Sequence, residues 1–268
     1  MTHSSLYPRA RKRFGQNFLH DEAVIDAIVE AISPAAGQHL VEIGPGRGAL
    51  TAPLLSRCDQ LDVIELDRDL VPLLNAKLAK HEHLSIHEAD ALRFDYHQLQ
   101  SADEKLRVIG NLPYNITTPL LFHLLDQADC IDDMCFMLQR EVVERICARP
   151  GNKQYGRLSI MVQHQCHAEL LFMVPPEAFD PAPKVESALI YLQPLKQRVG
   201  GEVELEDLNK VVTKAFSQRR KTIANTLKNM TTEQELLQAG IDPAQRPETV
   251  SVAQFVALTR ACRHHWQA

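Results

Sequence analysis

The sequence predicts an α/β fold, in which a seven-stranded, mostly parallel sheet of the Rossmann-like kind is followed by a small all-α domain. Two patterns support this prediction. Short apolar runs alternate with amphipathic helical stretches up to Pro194, as is typical of parallel sheets covered by helices. Beyond Pro194 only helical patterns remain. We therefore predict a sheet domain at residues 1–195 and a helical domain at residues 196–268.

The predicted strands are short runs rich in Val, Ile, Leu and Phe. In chain order they cover residues 39–43, 61–65, 84–87, 106–109, 134–138, 170–174 and 187–192. Mainly apolar runs of this length suit strands that are buried on both faces. Four prolines between the last two runs argue against a crossover helix there, so we expect the sheet to end in an antiparallel hairpin.

The helical stretches carry apolar residues at spacings of three and four. The clearest is 21–32, where the apolar face begins behind Asp21, a residue suited to capping a helix. Similar patterns cover residues 49–57, 70–80, 118–125, 140–148 and 158–165. In the second domain, an apolar stripe at 208–216 and the patterns at 218–230 and 252–262 predict three helices.

Charge is unevenly distributed along the chain. The net charge of −5 argues by itself against a polyanionic partner. Yet residues 1–20, 196–230 and 140–165 carry +4, +4 and +3, so the rest of the chain carries −16. This segregation allows the basic segments to converge on one surface, which is the arrangement that nucleic-acid binding requires.

The cysteines and the apolar runs indicate in which cellular compartment the protein works. The six cysteines show neither a C-x-x-C pair nor a zinc-site spacing, so we interpret them as reduced thiols of a cytoplasmic protein. The basic N-terminus lacks the apolar core of a signal peptide, and no apolar run approaches the ~20 residues of a membrane span.

The histidines do not predict a metal site. Neither the pair His264 and His265 nor the pair His81 and His83 resembles a ligand set, so we expect surface histidines and no metal.

A glycine loop, Gly44-x-Gly46-x-Gly48, follows the first predicted strand. Glycines let the backbone approach a ligand closely. The third glycine comes one residue too early for the dinucleotide fingerprint, so a pyrophosphate is disfavoured. Glu65, at the end of the next strand, is placed to bind ribose hydroxyls, and Asp90 to accept from an adenine amine. S-adenosylmethionine, which has an adenosine but no phosphate, fits this set.

The fourth predicted strand leads into Asn111-Leu112-Pro113-Tyr114. An amide, a rigid proline turn and an aromatic ring suit an extruded nucleobase better than a sugar or a peptide. If the Asn111 side-chain oxygen and the Leu112 carbonyl accept the two hydrogens of an adenine amine, the nitrogen lone pair is aimed at the methyl donor without a general base. Tyr114 would stack on the base, and Pro113 would rigidify the turn. The simpler alternative is a strand-ending turn with a buried tyrosine.

These motifs occur within longer blocks, and with them the chain resembles the ribosomal RNA adenine dimethyltransferases, in particular the bacterial small-subunit branch. The blocks are Arg11-Lys12-Arg13-Phe14-Gly15-Gln16-Asn17-Phe18-Leu19, Val41-Glu42-Ile43-Gly44-Pro45-Gly46, Val63-Ile64-Glu65-Leu66-Asp67, Gly110-Asn111-Leu112-Pro113-Tyr114-Asn115-Ile116, Phe179-x-Pro181-x-Pro183-Lys184-Val185-x-Ser187 and Phe216-Ser217-Gln218-Arg219-Arg220-Lys221-Thr222. They span nearly the whole chain.

The resemblance implies an S-adenosylmethionine-dependent enzyme that dimethylates two adjacent adenosines in a hairpin near the 3′ end of 16S rRNA. It implies that the donor is lined by Asn17, Leu19, Gly44, Glu65, Asp90 and Asn111, and that Phe179 stacks on the base opposite Tyr114. For phosphate contacts we single out two basic groups, Arg11, Lys12 and Arg13, and Arg219, Arg220 and Lys221. The alternative for the first group is a disordered tail, and the alternative for the second group is a solvated helix face. The expected partner is 16S rRNA within a 30S assembly intermediate, bound by a monomer.

Three rival functions remain at this point. A large-subunit RNA adenine methyltransferase shares the glycine loop, the Asn111 motif and the Phe179 motif, but the block at 11–18 and Pro45 favour the small-subunit branch. A DNA adenine methyltransferase is disfavoured because no target-recognition segment of useful length is visible. An assembly factor with vestigial methyl transfer is the third, and intact site motifs argue against it.

Overall fold

The computed structural model of the protein describes residues 16–78, 80–101, 104–218 and 220–265. Its strands are β1 (Phe18–Leu19), β2 (His39–Ile43), β3 (Gln60–Glu65), β4 (Leu84–Glu88), β5 (Leu106–Asn111), β6 (Ile131–Gln139), β7 (Cys166–Val174), β8 (Phe179–Asp180) and β9 (Ser187–Pro194). Its helices are α1 (Glu22–Ile32), α2 (Thr51–Leu55), α3 (Val71–Leu78), α4 (Thr117–Leu125), α5 (Arg140–Cys147), α6 (Arg157–Gln165), α7 (Leu205–Ala215), α8 (Ile223–Thr226), α9 (Glu233–Gln238) and α10 (Val252–Cys262).

Seven strands form one sheet in the order β4-β3-β2-β5-β6-β9-β7. The strands from β4 across to β6 pair in parallel, and β9 pairs antiparallel with β6. This sheet confirms the predicted α/β fold class. The chain builds outward from β2 to β4 and then returns to the other side of β2 with β5, so the topological switch point lies between β2 and β5.

A second, two-stranded sheet pairs β1 antiparallel with β8, with Leu19 opposite Phe179. The sequence did not predict it, because two residues per strand are too few to show a period.

Local signals account for the elements around the switch point. Asp21 caps α1, where its carboxylate accepts a hydrogen bond from the Val24 N–H at 3.1 Å, a contact typically worth about 1 kcal/mol. All five residues of β2 are buried, as expected for a central strand. Close packing explains why residue 110 in β5 is a glycine. A Cβ at Gly110 would lie 2.5 Å from the Ile43 carbonyl oxygen, so only glycine lets β5 approach the end of β2 this closely.

The chain divides into two units. The first comprises residues 1–143 and 169–194, and the second comprises residues 144–168 and 195–268. The main segment of the second unit begins at Leu195, one residue before the predicted start at 196, and the unit also includes 144–168, which the sequence prediction placed in the first domain. The reason is packing: α6 lies against α7 and α10 in the second unit.

The second unit is helical in its segment 195–268, although not in the predicted pattern. Helix 252–262 is confirmed as α10, but the helix predicted at 218–230 is wrong, since α8 is the only helix among the described residues of that range. Thr222 is extended, with φ −68° and ψ 160°, which ends any helix that enters from 218. The sequence analysis missed α9, which begins at a capping box formed by Thr232 and Glu235. Within the described ranges, no helix combines the length and apolarity needed to cross a membrane.

Candidate active site

A cavity of about 340 Å³ opens at the carboxyl ends of β2, β3 and β5, where the sheet has its switch point. Open α/β sheets bind ligands at this place. Segments 16–19, 42–47, 49–50, 64–66, 89–91 and 111–116 line it, and all belong to the first unit. The structure thereby brings together every residue that the resemblance assigned to the donor: Asn17, Leu19, Gly44, Glu65, Asp90 and Asn111.

The backbone of the glycine loop lines one side of the cavity. Gly44 and Gly46 have φ values of 67° and 57°, a left-handed conformation that side chains disfavour. The Gly44 N–H donates to the Ile64 carbonyl at 2.9 Å, which joins the loop to β3. A Cβ on Gly46 would lie 3.1 Å from the Phe18 ring, so this ring packs closely against the loop.

Two carboxylates lie at the ends of the neighbouring strands. Glu65 is buried, and its oxygens accept hydrogen bonds from the Gly46 N–H at 3.2 Å and the Asp67 N–H at 2.8 Å. Burial raises the pKa of Glu65, while these N–H donors oppose the shift. The Asp90 carboxylate accepts from the Leu92 N–H at 3.0 Å. Because each carboxylate oxygen can accept two hydrogen bonds, both acids retain capacity for a ligand.

Glu42 is a lining residue to which the sequence analysis gave no role. It is only 2% exposed and accepts a hydrogen bond from the Thr51 hydroxyl at 2.6 Å. Burial raises its pKa to about 7, Thr51 opposes the shift, and Glu65 adds a smaller repulsion. An acid within the apolar run from Leu40 to Ile43 was the signal that could have identified it.

Asn111 ends β5 and is held in place by the chain's first described segment. Its side-chain Nδ2 donates to the Asn17 carbonyl at 3.0 Å. This contact defines the donor branch of the amide, so Oδ1 is the branch that can accept from a ligand. The following turn is closed by the Pro113 carbonyl, which accepts from the Ile116 N–H at 3.1 Å and the Thr117 hydroxyl at 3.2 Å. The amide therefore lies on a rigid support.

The two predicted base-stacking rings have different surroundings. Tyr114 lines the cavity, and its hydroxyl is 2.9 Å from the Ser187 hydroxyl, which anchors the far end of the ring. Burial raises the pKa of Tyr114, so the ring is neutral at physiological pH. Phe179 is 3% exposed, packs in the hydrophobic core and is not part of the cavity lining. The structure thus brings Tyr114, but not Phe179, to the ligand side.

The N-terminal segment closes one side of the cavity through contacts that the sequence analysis missed. Gln16 donates to the Asp67 carboxylate at 3.0 Å. The Arg47 guanidinium carbon lies 4.2 Å from the centre of the Phe18 ring, a cation–π contact. Both contacts join residues more than twenty positions apart, so no local pattern could reveal them.

The predicted RNA-binding residues are only partly covered by the structure. Arg11, Lys12, Arg13 and Arg219 lie outside the described residues. Arg220 and Lys221 are exposed and precede α8 in the second unit. Their predicted role remains a prediction.

Together, the sheet order and a cavity at its switch point define a Rossmann-like α/β fold with a cleft where such sheets bind ligands. The family model of the ribosomal RNA adenine dimethylases matches residues 8–263. The chain therefore belongs to the ribosomal RNA adenine dimethylase family, and the predicted family and enzyme class are confirmed.

Relatives support this assignment along the whole chain. A protein of Alcanivorax borkumensis named ribosomal RNA small subunit methyltransferase A is 54% identical over 95% of this chain and 91% of its own length. One of the same name from Pseudomonas aeruginosa is 54% identical over 95% and 96%. Among solved structures, a dimethyladenosine transferase from Plasmodium falciparum shares the fold, with a TM-score of 0.77 and 22% identity over 90% of this chain and 95% of that one. The 23S rRNA methyltransferase ErmE has a TM-score of 0.69 and 25% identity over 92% and 100%.

Proposed function

We propose that the protein transfers methyl groups from S-adenosylmethionine to the exocyclic amines of two adjacent adenosines in a hairpin near the 3′ end of 16S rRNA. One observation carries the proposal: a single cavity is lined by the glycine loop, by the acids at the strand ends and by the Asn111 turn. A donor and an acceptor amine can therefore meet there. The small-subunit name of relatives that are 54% identical over the aligned residues supports the substrate.

The donor site suits an adenosine without phosphates. Glu65 would accept from the ribose hydroxyls with the lone pairs that Gly46 and Asp67 leave free, and Asp90 would accept from the adenine amine. Bound there, S-adenosylmethionine supplies an electrophilic methyl group. The protein contributes an apolar wall from Phe18, Leu19 and Ile43.

At the acceptor side, the protein's task is orientation. An adenine amine is a poor nucleophile because its lone pair is delocalised into the ring. With Asn111 Oδ1 and the Leu112 carbonyl accepting its two hydrogens, the nitrogen moves toward tetrahedral geometry and its lone pair turns to the donor. No general base is needed for the attack itself, because the amine attacks as a neutral nucleophile, and the methylated nitrogen then loses its extra proton to solvent. Tyr114 would stack on one face of the base.

Phe179 is proposed for the opposite face of the base, but its ring is buried in the core. Stacking by Phe179 therefore requires that the ring turn toward the cavity when RNA binds. The alternative is that Phe179 only holds β8 against β1.

RNA affinity would come from the two basic groups, through phosphate contacts that carry no sequence information. Specificity would then depend on RNA shape. The proposed substrate is 16S rRNA within a 30S assembly intermediate, bound by a monomer in the cytoplasm.

The decisive test is to incubate the protein and labelled donor with under-methylated 30S and 50S particles and to map the modified nucleosides. We expect dimethyladenosine in the 30S RNA alone. Label in the 50S RNA alone would instead support the large-subunit function, and label in neither would refute the proposal. Growth of an Asn111→Ala strain, compared with a deletion strain, separates the methyl transfer from a role as an assembly factor.

A further inference from the structure

Glu235, His264 and His265 converge at one point in the second unit. The Nε2 atom of His265 lies 3.0 Å from Glu235 Oε1, and the Nε2 atom of His264 lies 3.4 Å from the same oxygen. All three ligand-capable groups lie within 4.8 Å of one another. Two histidine nitrogens thus share a single carboxylate oxygen.

The carboxylate is held in place by its own helix cap. Glu235 Oε2 accepts from the Thr232 N–H at 2.7 Å, from the Thr232 hydroxyl at 2.9 Å and from the Thr231 hydroxyl at 3.0 Å. These bonds fix the carboxylate, so that Oε1 faces both histidines, while His265 Nε2 also lies 3.1 Å from Oε2. Outer contacts of this kind orient a metal-binding carboxylate.

The separations of 3.0 Å and 3.4 Å between ligand-capable atoms are close to those of a tetrahedral metal site. With metal–ligand bonds of about 2.1 Å, neighbouring ligand atoms of a tetrahedron lie about 3.4 Å apart. Two imidazoles and one carboxylate form a donor set that zinc and similar borderline cations prefer. We propose that Glu235, His264 and His265 bind one Zn²⁺ ion, with the fourth position open to water.

Exposure of the site to solvent favours the same assignment. The His264 side chain is 67% exposed, which leaves the point of convergence open to an ion from solvent.

A plain ion pair is the competing explanation for this geometry. An ion pair needs only one of the two imidazoles, whereas the Nε2 atoms of both His264 and His265 lie within 3.4 Å of Glu235 Oε1. A single ion between the three groups uses both histidines. The ion would connect α9, which carries Glu235, to the chain directly after α10. Its role would therefore be to stabilise the helical unit.

The test uses the full chain, freed of metal with a chelator and titrated with ZnCl₂ against a competing dye. We expect one site per chain, at least about tenfold weaker in His265→Ala and in Glu235→Gln. Glutamine is a tolerated capping-box residue, so Glu235→Gln keeps the helix cap. His264→Ala changes an exposed side chain, so it tests the site even if the Glu235 variant folds poorly. His81→Ala is the matched control, because His81 and His83 form a second histidine pair, with ring centres 5.5 Å apart.

Two further readouts separate the site from accidental binding. Zn²⁺ should raise the melting temperature of the natural protein and of His81→Ala, but not that of His265→Ala. Co²⁺ in place of Zn²⁺ should give the visible absorption of a tetrahedral nitrogen and oxygen site without a thiolate charge-transfer band. Equal zinc affinity in all variants, or a thiolate band, would overturn the proposal.

Discussion

Replacing Glu42 with glutamine should stabilise the protein, and the gain should depend on pH. The side chain is 2% exposed, and burial raises its pKa from 4.5 to about 7. A folded-state pKa above the unfolded value means that the folded chain holds this proton more tightly. The corresponding cost of ionising the buried acid is about 3 kcal/mol in full. It is absent well below pH 4.5 and fully present above about pH 7.

Glutamine is uncharged, and its carbonyl oxygen can keep the hydrogen bond from the Thr51 hydroxyl. We therefore expect Glu42→Gln to be more stable than the natural protein by about 3 kcal/mol at pH 8 but by only about 1 kcal/mol at pH 5. For a chain of this size, the gain at pH 8 corresponds to a melting temperature higher by roughly 6–12 °C.

The assay is thermal unfolding followed by circular dichroism at the two pH values, on both proteins. Glu30→Gln is the control: Glu30 is exposed on α1, so its replacement should change the melting temperature little. A difference between Glu42→Gln and the natural protein that is equal at both pH values would refute the reasoning, and so would a variant less stable at pH 8.

Three further predictions concern the Asn111 turn, the packing of the sheet and the affinity for RNA. Asn111→Ala should lower the methylation rate by about 100-fold or more, with S-adenosylmethionine affinity reduced less; an unchanged rate would exclude the amine-positioning role. Gly110→Ala should destabilise the protein by about 1–3 kcal/mol in urea unfolding, because its Cβ would lie 2.5 Å from the Ile43 carbonyl oxygen, whereas Gly156→Ala, with its nearest contact at 3.8 Å, should have less effect. Alanine at 219–221 should weaken RNA binding and make its salt dependence shallower by up to about three units, measured by filter binding; an unaltered slope would favour a solvated surface with no RNA contact.

Local sequence patterns were sufficient to predict most strands of the sheet and the position of the glycine loop. Strand β2 and helix α10 have the predicted bounds, because each is a regular apolar pattern ended by clear signals. The helix predicted at 218–230 was wrong because apolar spacing there continues across a backbone that turns at Thr222.

Patterns within short stretches of chain were sufficient to predict the α/β class, the glycine loop and the acids at the strand ends. The family resemblance added further donor-lining residues, and no role was predicted for Gln16, Glu42 or Arg47. The folded structure was needed to reveal the strand order, the pairing of β1 with β8, the contact of Asn111 with Asn17 and the convergence of Glu235 with the histidines. Asn17 and Asn111 are 94 positions apart. Contacts at such separations depend on how whole elements pack, and no local preference encodes them.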